Sequence, residues 1–117
     1  MSIIRREGAL AGALLAAGLC ACGGAAGAAN PTATTSVDLP RSYRFDPSAI
    51  TIAAGQTVTW TNHDNFTHSV RLTDQGNRTP GVMHPGQHVS FAFTTPGTYR
   101  YDCSFHPHDM QGVVVVH

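Results

Sequence analysis

The chain has 117 residues, enough for one domain and too few for two cores of ordinary size. Its formal net charge is zero, it contains no lysine, and Arg41, Arg44, Arg71, Arg78 and Arg100 are scattered singly. That dispersal excludes the clustered cations a nucleic-acid backbone requires, so no nucleic-acid partner is expected.

In chain order, residues 1–21 come first, with Arg5 and Arg6 ahead of an Ala/Gly/Leu run. This stretch reads as an export signal: its apolar core is too short for a membrane span and is followed by small residues. Leu19-Cys20-Ala21-Cys22 resembles a bacterial lipobox, which would leave Cys22 as a lipidated mature N-terminus and place the protein in the periplasm or at the cell surface. Ordinary cleavage near residues 26–30 is the alternative, leaving a protein without a lipid. Residues 22–36 are rich in Gly, Ala, Thr and Ser without apolar periodicity, and read as a flexible tether. The folded domain is then expected over residues 37–117, as a monomer.

Strand signals fill that domain, at 42–45, 50–53, 57–62, 68–73, 88–93, 98–103 and 112–116. In Val58-Thr59-Trp60-Thr61 and Val89-Ser90-Phe91-Ala92-Phe93, apolar and polar residues alternate, so each strand has one face for a core and one for water. Gly and Pro turns separate the runs, as at Ala54-Gly55-Gln56 and Pro96-Gly97. No stretch reads as a long helix. The pattern predicts an all-β, two-sheet antiparallel Greek-key sandwich with Trp60 and the Phe and Tyr residues in its core.

Once the export signal is removed, Cys103 is the one cysteine left, so no disulfide can form within the domain. A lone thiol in an oxidising compartment has to be buried or bound. Its neighbours supply the reason: Cys103, His106 and Met110 lie within eight residues between two predicted strands. Thiolate, imidazole and thioether together select copper, and two His with one Cys and a weak axial Met make an electron-transfer centre. His68, at the start of a strand, is the candidate for the second imidazole. His108 also has a spacing from Cys103 that would suit a ligand, but it leaves only Asp109 before Met110, and the reach of the loop favours His106. His63, His84, His88 and His117 have no comparable support.

The motifs Phe45-Asp46-Pro47, Ala54-Gly55, Val58-Thr59-Trp60-Thr61-Asn62, His68-Ser69-Val70, Pro96-Gly97-Thr98-Tyr99, Cys103, His106 and Met110-Gln111-Gly112 resemble the cupredoxins of plastocyanin and amicyanin type over essentially the whole domain. The resemblance implies one copper ion cycling between Cu(I) and Cu(II). His68, Cys103 and His106 would be the close ligands and Met110 the axial one. It also implies that Asn62 ties the His68 loop to Ser104, and that redox proteins dock around the exposed edge of His106, near Pro107, Phe66 and Met83. Three intervening residues between His106 and Met110 separate this loop from the two relatives, which have two or four. Since four side chains fill the metal's positions, no site remains for a substrate, and an electron carrier rather than an enzyme is expected. The competing reading is a copper-binding or delivery module without a redox role.

Overall fold

The computed structural model describes residues 30–117. The stretch read as an export signal, Cys22 and the first part of the stretch read as a tether lie outside them. Among these residues, nine strands form two sheets: β1 (Thr32–Ala33), β2 (Ser36–Leu39), β3 (Ala49–Ile52), β4 (Thr57–Asn62), β5 (His68–Leu72), β6 (Arg78–Met83), β7 (His88–Ala92), β8 (Gly97–Asp102) and β9 (Gln111–Val116). The larger sheet runs β1-β3-β9-β8-β5-β6 and the smaller β2-β4-β7. A single 3₁₀ turn, Thr73–Gln75, is the one helical element among the described residues.

Alternation places the core as the sequence implies. In β4, Val58, Trp60 and Asn62 are buried while Thr57 is exposed, because successive side chains leave a strand on opposite faces. Ile50 and Ile52 of β3, Val70 and Leu72 of β5, and Val114 and Val116 of β9 meet Val37, Leu39, Val58 and Trp60 of the small sheet. Tyr101 fills the centre, edge-on to Trp60 at 5.3 Å and to Phe45 at 4.7 Å. Burial pushes its phenol above the ordinary tyrosine value.

Tyr101 stands opposite Gly112 in the β8–β9 register. A Cβ built at Gly112 would lie 2.3 Å from Tyr101 Cζ, so the glycine makes room for the ring. Gly112→Ala is therefore expected to cost about 1–3 kcal/mol of stability through overpacking, read as a lower denaturation midpoint.

The two-sheet sandwich is present, but its pairing is mixed: β3 runs parallel to β1 and to β9, and β2 runs parallel to β4. Order also begins earlier than expected. Thr32 and Ala33, within the stretch read as tether, add to the edge of the large sheet beside β3. The predicted strand at 42–45 is absent, because Ser42 and Tyr43 adopt positive φ, 84° and 53°, which no strand accommodates. Conversely, β6 carries Pro80 and Gly81, residues that argue against a strand in sequence. It survives because it is an edge strand, where a missing N–H can face solvent.

Candidate metal centre

The candidate ligands come from two places. His68 opens β5, next to β8 in the large sheet, and Cys103 follows β8 directly. The segment from Cys103 to Met110 then folds on itself through short backbone bonds. His106 N–H donates to the Cys103 carbonyl at 3.0 Å, Met110 N–H donates to the His106 carbonyl at 3.0 Å, and Cys103 N–H donates to the Met110 carbonyl at 3.1 Å. This closed loop brings Cys103 and His106 to one side and buries Met110 completely.

His68 Nδ1 lies 3.7 Å from Cys103 Sγ and His106 Nδ1 lies 3.9 Å from it. All three donor atoms fall within 4.8 Å of one another, the one such His/Cys/Asp/Glu group among the described residues. Donors arranged in a triangle around an ion at bond lengths of about 2.0 Å to nitrogen and 2.3 Å to sulfur are roughly 3.5–3.7 Å apart, so the group fits a transition metal. His108 is exposed and outside this group.

Two residues that the sequence did not single out hold the donors in place. Asp64 Oδ2 accepts a hydrogen bond from His68 Nε2 at 2.9 Å, with both side chains almost fully buried. Placing the proton on Nε2 leaves the Nδ1 lone pair facing Cys103 and free to bind a metal. Burial disfavours the Asp64 charge, but the bonds from His68 and the Asn65 N–H, together with the charges of His68 and Arg41, hold its carboxyl below its usual value. The signal available in sequence was the Asp64-x-x-x-His68 spacing, within a loop that reads otherwise as a turn.

Ser69 is the second. Its N–H points at Cys103 Sγ at 3.4 Å, its hydroxyl accepts the Ser104 N–H at 2.8 Å, and it shares a 2.6 Å bond with the Ser104 hydroxyl. Ser69 thus makes the link to Ser104 that was expected of Asn62. Asn62 spends its amide within its own region instead: Nδ2 donates to the carbonyls of Phe66 at 2.7 Å and Met83 at 3.0 Å, and Oδ1 accepts the Asp64 N–H at 2.9 Å. The reason is geometric. Asn62 ends β4 in the small sheet, whereas Ser69 sits on β5, in the sheet that carries Cys103.

Two residues further along β5, Arg71 braces the same junction. It forms a two-pronged ion pair with Asp102, Nε to Oδ1 and Nη2 to Oδ2 both at 2.8 Å, directly before Cys103. The Asp102 carboxylate, and to a lesser degree the Cys103 charge, raise the Arg71 guanidinium above its ordinary value.

Around the centre, exposure is graded. His68, Cys103 and Met110 are fully buried, while His106 and Pro107 are half-buried. Phe66 and Phe105, each 53% exposed, stand on the surface. Met83, expected around the exposed edge of His106, is instead fully buried.

Residues 32–117 match the family described as copper binding proteins, plastocyanin/azurin family. Plastocyanin of Scenedesmus fuscus is 36% identical over 85 residues, covering 62% of this chain and 85% of the relative. Amicyanin-alpha of Methylorubrum extorquens is 35% identical over 94 residues, covering 74% of each. A purple cupredoxin from Nitrosopumilus maritimus superposes with a TM-score of 0.64 at 27% identity, covering 72% of this chain and all of that one. With the sandwich, the buried thiol and the paired imidazoles in place, the chain belongs to the plastocyanin/azurin family of copper-binding proteins.

Proposed function

We propose that this protein is a one-electron carrier whose copper would be held by His68, Cys103, His106 and Met110. Bound there, copper supplies the Cu(I)/Cu(II) couple. The observation that carries the reading is the convergence of His68 Nδ1, Cys103 Sγ and His106 Nδ1 within 4.8 Å on a frame built of two sheets. The protein's own work is to keep those donors still. Asp64 fixes the His68 ring, Ser69 directs its N–H at the sulfur, and the closed 103–110 loop sets the spacing of Cys103, His106 and Met110. A frame that does not rearrange suits both oxidation states, which keeps the reorganisation opposing electron transfer small.

The grading of burial supplies a route. Of the four ligands, only His106 approaches the surface, flanked by Pro107, Phe66 and Phe105, so a redox partner would dock on that apolar face. A chain exported to the periplasm or cell surface, with or without a lipid at Cys22, would meet such partners outside the cytoplasm. With His68, Cys103, His106 and Met110 all on the metal, no position would be left for a substrate, which favours an electron carrier over an enzyme.

Potentiometry on the copper-loaded protein tests this function against copper delivery. An electron carrier shows a reversible one-electron wave and retains its metal through repeated cycles. A delivery module surrenders copper to an acceptor on reduction, and that outcome would overturn the proposal.

A further inference from the structure

The segment predicted as a strand at 42–45 instead holds two successive non-glycine residues at positive φ, Ser42 at 84° and Tyr43 at 53°. Such backbone costs free energy and persists where surrounding contacts hold it. What it achieves here is the placement of one aromatic ring. Tyr43 lies 4.6 Å from the His106 ring, centroid to centroid and tilted by 49°. It stacks on Phe66 at 5.4 Å and 27°, and it meets the edge of His68 at 5.9 Å and 89°.

The two imidazoles of the centre differ sharply in how they are held. His68 is buried and has Asp64 on its outer nitrogen at 2.9 Å. No protein group among the described residues hydrogen-bonds the outer nitrogen of His106; the one side-chain contact within hydrogen-bonding range runs from its inner Nδ1 toward Cys103. Its ring is half-buried, on a loop fastened by backbone bonds, by the Ser69–Ser104 bonds and by Gln111 Nε2 donating to the Pro107 carbonyl, none of which reaches the ring. Something other than a hydrogen bond must restrain it, and of the two rings packed on it, His68 at 5.3 Å and Tyr43 at 4.6 Å, Tyr43 is the nearer.

We propose that Tyr43 is a positioning residue for His106, doing by ring contact what Asp64 does for His68 by hydrogen bond. This rests on the reading of His106 as a copper ligand. Since the ring supplies the restraint, the phenol hydroxyl is dispensable, and Phe should replace Tyr at this position without loss.

The test has two arms. In the metal-free protein, side-chain NMR of the His rings compares wild type, Tyr43→Ala and Tyr43→Phe. The alanine variant is expected to show motional averaging at His106 while His68, held by Asp64, stays ordered, and the phenylalanine variant is expected to match wild type. In the Cu(I) protein, metal transfer to bicinchoninate at neutral pH is expected to be about three- to tenfold faster in Tyr43→Ala and nearly unchanged in Tyr43→Phe, the range one ring contact supplies. The proposal is overturned if Tyr43→Ala leaves His106 ordered and the transfer rate at the wild-type value. It is equally overturned if both His rings loosen together with a fall in the melting temperature, since that would mark Tyr43 as a fold residue only. Should wild-type protein fail to form a copper–thiolate centre at all, the functional reading fails, and the metal-free arm still decides the role of Tyr43.

Discussion

Cys103→Ser is expected to abolish the intense visible absorption of the Cu(II) protein and its reversible redox wave, while leaving the sandwich folded. The sulfur is the one soft anionic donor in the centre, and the hydroxyl that replaces it stays protonated at neutral pH. Its loss also strips the Ser69 N–H of the acceptor it addresses at 3.4 Å. Two imidazoles and a thioether would still bind copper weakly, giving a pale complex. Circular dichroism separates this outcome from unfolding, because the strands of the core do not depend on the thiol. An unchanged visible band in the serine variant would remove Cys103 from the centre.

The second large effect is expected at Asp64. Asp64→Ala deprives His68 Nε2 of its acceptor at a buried site, so the ring loses both its orientation and its proton placement. Copper affinity should fall about 10- to 100-fold, the usual consequence of losing such an outer partner. Asp64→Asn, which can still accept through its amide oxygen, should fall less. The same carboxylate shapes the acid limb of the metal-free protein. Its folded value lies below its unfolded one, so ionised Asp64 stabilises the fold at pH values above the ordinary carboxylate range, about 4. That contribution is lost as pH falls through the lower folded value. Denaturation midpoints measured between neutral and acid pH should therefore be flatter in Asp64→Ala than in wild type. Parallel curves for the two proteins would show that the carboxylate plays no such part.

Much of the centre was readable because its chemistry is compact in the chain. Cys103, His106 and Met110 share one loop, and no residue outside it had to be guessed to suspect a metal. His68 was the sequence's candidate for the second imidazole as well, and the strand pairing between β5 and β8 is what sets it alongside Cys103. The supporting residues were harder to read. A serine beside a histidine carries no mark of where its hydroxyl points, and the role expected of Asn62 fell to Ser69 because the two stand on different sheets.

Strands with strict alternation, such as Thr57–Asn62, matched the sequence pattern to the residue. Edge elements did not, because their residues answer to solvent exposure rather than to core periodicity. Pro80 and Gly81 hid β6, and the Thr-rich start of the domain hid β1. The parallel pairings were equally invisible, since alternation shows which face of a strand is buried but not the direction of its neighbour. Tyr43 marks the remaining gap. Its neighbours read as an extended run, while the backbone turns through two positive φ values to lay its ring on His106.

On this reading His68, Cys103 and His106 hold a copper ion whose redox change the protein transmits. A visible and paramagnetic-resonance spectrum of the mature protein, loaded with Cu(II) and cycled once with a one-electron reductant and oxidant, tests it most directly. The expected result is an intense thiolate-to-copper band that bleaches on reduction and returns fully on oxidation, at one copper per chain. A pale Cu(II) complex with no thiolate signature would contradict it.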